Sequence, residues 1–463
     1  MDFLKSAALP QPMEHVQLLL FMMNLIFVML IPYLGFLLGT SLLSYIFRRR
    51  ALRTSDIDEM QCAEALIATA VGSKSLMTFL AIIPALSLVF LMAQLLQGTP
   101  SISPGLMAFG FLCLFGGSVL LYTYRFSFRL SDILQDYGRL LEREKGTAGG
   151  KGESIARYSR RVEHTNNRAG LYGIVFLTLA SMLTVGAITV AGDPDSWPEV
   201  SDILDLLLTG GFVVHYLEFL AVAGSITGIG ILYFLVGKKV AGEGVDEQVE
   251  RVFQPLGIRI SSWSLIFLPV VVVGSVAVLP SSALTGSVFS VTGLAIVSFF
   301  VAAHFLYALK RESRHGYARY AFLALAFGLI ALMTRDQLAI RSATSVQAVQ
   351  LASVAERDVD ELKARLGVVV VKALTGQEIY DAKCSACHLF DAKKIGPAYK
   401  DVVPKYFGRK AQMIAFVMNP VKVDPAFPSM PNQGLRSTEA DSIVTFLLTK
   451  FSPKAQTAQS SGK

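Results

Sequence analysis

Cys384-Ser385-Ala386-Cys387-His388 is the stretch that decides how the C-terminal part of this chain folds. It sets two thiols one short turn apart with an imidazole directly after the second, the C-x-x-C-H spacing. Two cysteines so placed add to the two vinyl groups of one haem, and the adjacent imidazole then faces the iron as proximal ligand. The competing use of C-x-x-C is a zinc knuckle, which needs a second ligand pair. The only other cysteines, Cys62 and Cys113, lie far upstream in or beside apolar segments and supply none. One covalent haem c on Cys384 and Cys387, with His388 on the iron, is the expectation.

The flanks agree with the motif. Gly396-Pro397 follows a few residues downstream, and Phe427-Pro428-Ser429-Met430-Pro431-Asn432 forms a proline-rich loop around one methionine. Ser437 to Lys450 presents Ile443, Phe446 and Leu447 at helical spacing, which predicts a closing helix packed on the helix that leads into the motif, near Tyr380. Together these segments resemble the class I c-type cytochromes over residues 373–452. The resemblance implies that the Pro397 carbonyl receives the proximal imidazole N–H and so orients the ring. It also makes Met430 the sixth ligand, a thioether that favours ferrous iron and raises the potential. Met413 and Met418 compete, but Ala411 to Val417 reads as an amphipathic helix in which methionine fills core.

The remainder is a different material. Of 463 residues, 53% are hydrophobic and only 17% charged, with mean hydropathy +0.51, too apolar for a soluble chain of this length. Apolar runs near 18–46, 76–96, 105–124, 169–191, 206–236, 261–280, 288–309 and 318–334 predict about eight transmembrane helices, each able to cross about 30 Å of hydrocarbon. The first run is too long for a cleavable signal peptide and lacks a small-residue cleavage site. The fold class is therefore all-α: a polytopic helix bundle over 1–335, a helical linker over 336–372, a cytochrome c domain over 373–452 and a disordered tail over 453–463. Within the linker, Val346 to Leu366 reads as a helix with one apolar face.

Charge sets the orientation. Connections after the first, third, fifth and seventh helices carry Arg48-Arg49-Arg50 with Arg53, the basic stretch Arg125 to Arg161, Lys238-Lys239, and Lys310-Arg311 with Arg314. The others are neutral or acidic, as at Asp193, Asp195, Glu199 and Asp202. Positive residues stay inside, so the N-terminus and everything after the eighth helix are placed outside. The attachment of c-type haem on the outer side of an energy-coupling membrane points the same way from different residues. A bacterial-type inner membrane follows, with the haem domain on the periplasmic face. The net charge of +7 is then a topology signal and calls for no nucleic acid. In the longest basic connection, Gly149-Gly150-Lys151-Gly152 reads as a flexible stretch.

Of six histidines, His388 belongs to the haem motif. His15 and His215 lie toward the outer face, His164, His304 and His315 toward the inner. His215 alone sits well inside an apolar run, with Glu218 one turn on and on the same face. Ionisable residues inside a membrane helix are costly and default to a functional hypothesis, so His215 is a candidate haem b ligand and Glu218 a functional intramembrane carboxylate. The alternative is a buried His–Glu pair that locks helix packing. Gly224 and Gly228 follow, a small-xxx-small face that admits a neighbouring helix or a macrocycle.

Val214-His215 through Gly224 to Gly237, Gly105-Leu106-Met107-Ala108-Phe109, and Phe27-Val28 through Gly35-Phe36-Leu37-Leu38 resemble segments of subunit I of the cytochrome bd oxidases. Helix order and an outside N-terminus match as well. The departures carry more information. Asn24 stands where the family has its active-site histidine, Pro104 and Leu112 stand where it has two carboxylates, and Val291 falls where it has the methionine opposite the low-spin histidine. The external quinol loop is reduced to Ser281 to Gly286. These departures argue against dioxygen reduction or quinol oxidation by this chain alone, and no catalytic site is evident.

The resulting expectation is an electron-transfer subunit of a respiratory-type complex. Electrons would pass between an outer-side cytochrome or other redox protein and a partner subunit, which could be a related haem-bearing bd-like chain, or a haem b at His215. Two rivals remain: a bd-like terminal oxidase subunit fused to cytochrome c, and a plain membrane anchor for a tethered cytochrome c.

Overall fold

The computed structural model describes residues 9–54, 56–143, 149–236, 247–312, 316–368 and 374–452. Lys238, Lys239, Arg314, His315 and the tail 453–463 fall outside these ranges. No strand occurs among the described residues.

Among the described residues eight helices are long and apolar enough to cross a membrane: α1 Met13–Thr54, α3 Lys74–Leu95, α4 Ser103–Arg143, α5 Gly149–Ala191, α7 Gly210–Val236, α8 Glu247–Ala277, α9 Gly286–Glu312 and α10 Gly316–Ala343. The chain is a multi-pass membrane protein. All eight sequence-predicted spans are present, most of them longer than the apolar run alone, because helix continues past the hydrocarbon into charged ends. Gly149 to Gly152, read as flexible, instead open α5. Within α3 the ladder widens to a π turn over Thr78–Ile82 just before Pro84, which has no N–H to give it.

Sequential spans pair as antiparallel hairpins, α4 with α5, α7 with α8 and α9 with α10, and α1 lies across α7. Small residues allow close approach. A Cβ on Gly228 would lie 2.6 Å from the Ser261 backbone nitrogen and one on Gly35 3.0 Å from the Ala223 Cα. The small-residue face of α7 therefore receives helix α8, the first of its two expected uses.

Two short helices, α2 Ile57–Val71 and α6 Ile203–Leu208, lie in the connections. Asp202 and Asp205 close a capping box on α6. After α10 comes α11 Ser345–Arg365, close to the expected linker helix, and then a small all-α domain: α12 Gly376–Cys384, α13 Tyr399–Val402, α14 Lys410–Met418 and α15 Ser437–Lys450. Its core includes Ile379, Tyr380, Tyr399, Met413, Ile443 and Leu447. Gln347 on α11 donates to the Gln97 carbonyl at 2.8 Å, and Met13 packs against the small domain's core. The small domain thus sits at the end of the bundle that bears the start of α1 and the α3–α4 connection. The arginines that close α1 lie at the opposite end.

Candidate functional site

Helix α12 begins with a capping box in which Thr375 and Glu378 exchange hydrogen bonds, and its last turn delivers Cys384. Tyr380, facing inward from this helix, donates to the His388 carbonyl at 3.2 Å. The turn after the motif is stitched back onto it, with the Ile395 and Gly396 amides donating to the Cys387 carbonyl at 3.2 and 2.9 Å. That return brings Pro397 beside the imidazole. His388 Nδ1 lies 2.9 Å from the Pro397 oxygen, so Nδ1 carries the proton and Nε2 is left as the free lone pair. Gly396 is required here, since a Cβ would sit 2.3 Å from His388 Cε1.

Tyr399 stacks on the other side of the ring, centroids 4.9 Å apart and planes 12° from parallel, and its hydroxyl bonds Cys384. Burial pushes the Tyr399 phenol up from its ordinary value, so it stays a neutral donor.

The opposite wall comes from the proline-rich loop. Met430 and His388 both line a cleft of about 210 Å³ that runs inward past Cys384, Tyr399 and Val403 to Leu447. They also share a smaller, adjoining cavity of about 70 Å³ whose walls include Cys387 and Ile395. Lys383 ties the two walls by donating to the Gln433 carbonyl at 3.3 Å. The donor set fits a covalent haem: two thiols on one rim, an imidazole nitrogen aimed inward, a thioether across the cleft and an apolar floor. Such a haem, when bound, supplies one-electron chemistry, while the chain orients its ligands and keeps water from its inner face. Met413 is buried and lines the larger cleft, whereas Met418 is buried without reaching it.

Helix α15 crosses α12 at Gly376, where a Cβ would meet the Phe446 Cβ at 2.4 Å and the Ser442 oxygen at 2.5 Å. The crossing fixes the helix that carries Cys384 against the one that supplies Ile443 and Leu447, the deep wall of the cleft.

The membrane candidates arrange themselves otherwise. His215 Nδ1 donates to the Gly211 carbonyl at 2.8 Å, a bond within its own helix. Glu218 is buried and meets Arg335 of α10, whose Nη2 reaches Oε1 at 3.0 Å and Oε2 at 3.2 Å. Arg335 is wholly buried. It also donates through Nε to Asp336 at 2.9 Å and through Nη1 to Ser275 at 2.6 Å. The sequence reading missed Arg335, having ended the last span at residue 334. The signal was present in the apolar residues Leu338, Ala339 and Ile340, which continue the helix beyond it. The cavity beside His215 is about 90 Å³, less than half the volume of the cleft beside His388. Helix α8 rather than open space faces Gly224 and Gly228. His15, His164 and His304 are all exposed and do not converge with His215.

Comparison with known proteins bears on the small domain alone. The family described as Cytochrome c matches residues 373–450. Cytochrome c-551 of Pseudomonas denitrificans is 35% identical over 81 residues, 16% of this chain and 96% of that protein. Cytochrome c-552 of Hydrogenobacter thermophilus is 33% identical over 93 residues, 19% of this chain and 93% of that protein. No solved structure matches. The C-x-x-C-H helix, the His388–Pro397 bond and relatives covered almost end to end lead to one statement: through its C-terminal domain, an electron-carrying haem c module, this chain belongs to the cytochrome c family.

Proposed function

We propose that this chain is the membrane-bound cytochrome c subunit of a respiratory-type complex, moving electrons between a redox protein on the outer side of a bacterial-type inner membrane and a partner subunit. The division is a membrane bundle over 1–335, a linker over 336–372 and a haem domain over 373–452. Cys384 and Cys387 hold one haem, His388 and Met430 ligate its iron, and Pro397 orients His388.

One observation carries this reading. Arg341, at the end of the last span, donates to Asn419 Oδ1 at 3.0 Å, and Asn419 lies between Val417 and Val421 on the haem cleft wall. The cleft is thus held against the bundle, as suits hand-over to a subunit in the membrane. The same contact weighs against the plain anchor. The small cavity at His215 and the buried Glu218–Arg335 pair favour acceptance by a partner chain over a haem b within this one. The likeness to bd-type subunit I then concerns helix order and not catalysis.

Reduced-minus-oxidised spectra of the purified chain, with haem counted per polypeptide, test the proposal. A c-type band with one haem per chain is expected. An added b-type signal would relocate the acceptor to His215, and a d-type signal would restore the oxidase reading. Affinity capture from membranes should return further redox subunits with the chain.

A further inference from the structure

The haem domain meets α11 through Val349, which packs against the domain's core, and through polar groups nearer the far end of the helix. Glu356 receives the Ser437 amide at 2.9 Å, the Ser437 hydroxyl at 2.7 Å and the Thr438 amide at 3.4 Å. One carboxylate therefore caps the N-terminus of α15, where unpaired amides and the helix dipole favour negative charge. A turn further along α11, Asp360 pairs with Arg436 at 2.9 Å. At the membrane end the Arg341–Asn419 bond closes the contact. Between these points runs a solvent-open groove of about 500 Å³, walled by Val349, Gln350 and Arg357 on one side and Ala411, Ile414 and Asp441 on the other. The contact is fastened at its edges and open in the middle. A contact between domains that is fastened by polar groups and leaves a groove open to solvent permits relative motion. Helix α11 ends at Arg365, and Gly367, with φ of 72°, turns the chain out of it toward the haem domain.

We propose that this contact is a latch. In the docked state Glu356 and Asp360 hold Ser437 and Arg436, and the cleft wall at Val417 and Val421 stays beside the bundle. In the released state those bonds open, the haem domain pivots near Gly367, and the same wall turns outward. Docking serves a membrane subunit, and release serves a soluble partner. The inference rests on the electron-transfer reading for its purpose, but the motion itself is measured without any electron transfer.

The test uses the full haem-loaded chain with Cys62 and Cys113 replaced by alanine and spin labels on Val359→Cys and Lys400→Cys, both exposed positions. Pulsed dipolar distances are taken with the haem reduced. Two distance populations are expected. Glu356→Gln with Asp360→Asn should raise the ratio of the longer to the shorter at least about fivefold, as loss of a partly exposed charged contact allows. High salt should shift the ratio in the same direction. An unaltered haem spectrum shows that the variant is folded. In a separate sample, Arg341→Cys and Asn419→Cys joined by a short bismaleimide, with the spin labels carried instead on ketone-bearing unnatural residues at 359 and 400, should leave only the shorter distance. A single distance indifferent to the double substitution and to salt overturns the latch. So does a longer population that neither the substitutions nor the crosslink changes.

Discussion

At the residue scale, each thiol and ligand has its own signature. Replacing Cys384 and Cys387 together by alanine should abolish covalent haem while the eight spans still insert, which haem-stained gels of membranes will show. Met430→Ala should leave the haem attached but remove the thioether–iron absorption and lower the potential, by a sizeable part of the ~0.8 V over which axial ligands tune haem. Redox titration of Met430→Ala beside Met413→Ala decides between the two methionines on the cleft. Arg335→Leu leaves buried Glu218 and half-buried Asp336 without their shared cation, so stability should fall by about 3–5 kcal/mol. Thermal unfolding in detergent measures that loss, and His215→Ala should leave the visible spectrum as it was.

The legibility of these residues differs for a physical reason. Covalent haem attachment demands a contiguous spacing, so Cys384, Cys387 and His388 could be read from five letters. Arg335 depends on a partner 117 positions away in sequence, and with nothing in the sequence to join it to Glu218 an Arg-Asp pair reads as the end of a span.

At the element scale, glycine crossings set how closely helices approach. Gly376→Ala forces a methyl against Ser442 backbone and the Phe446 Cβ, atoms that cannot rotate away, and should cost about 1–3 kcal/mol of haem-domain stability. Denaturant unfolding followed by the Soret band gives the value. A change below a few tenths of a kcal/mol would mean that α12 and α15 do not cross there. Helix positions were legible because apolar runs of membrane length have few other uses. Helix ends were less so, since charged first and last turns belong to the helix but not to the hydrophobic pattern. The π turn ahead of Pro84 and the start of α5 at Gly149 lie below the resolution of such patterns.

At the scale of the whole molecule, charge and topology meet at the haem domain. Lys393, Lys394, Lys400, Lys405, Arg409 and Lys410 are all exposed, and Lys393 lies 4.6 Å from the ring centre of Phe427 in the Met430 loop. A basic rim at this edge would steer an acidic partner mainly through its association rate. Lys393→Glu with Lys394→Glu should slow electron exchange with an acidic redox protein about tenfold or more at low ionic strength and little at high salt. Rates that ignore both charge and salt would reduce the rim to ordinary surface. The rim was visible as a run of lysines, whereas the seat of the domain on α11 was not, because Glu356 and Asp360 find their partners some eighty residues on.

The eight spans also impose an order on biogenesis. The haem domain follows the last of them, so in the proposed orientation Cys384 and Cys387 reach the export side only after every preceding helix has chosen its direction. Deleting one span would strand the thiols on the ribosome's side, where no haem is joined to them, whereas deleting a complete α9–α10 hairpin would keep them on the export side. Haem staining thus becomes a readout of insertion parity, and a chain that misthreads announces itself by remaining colourless.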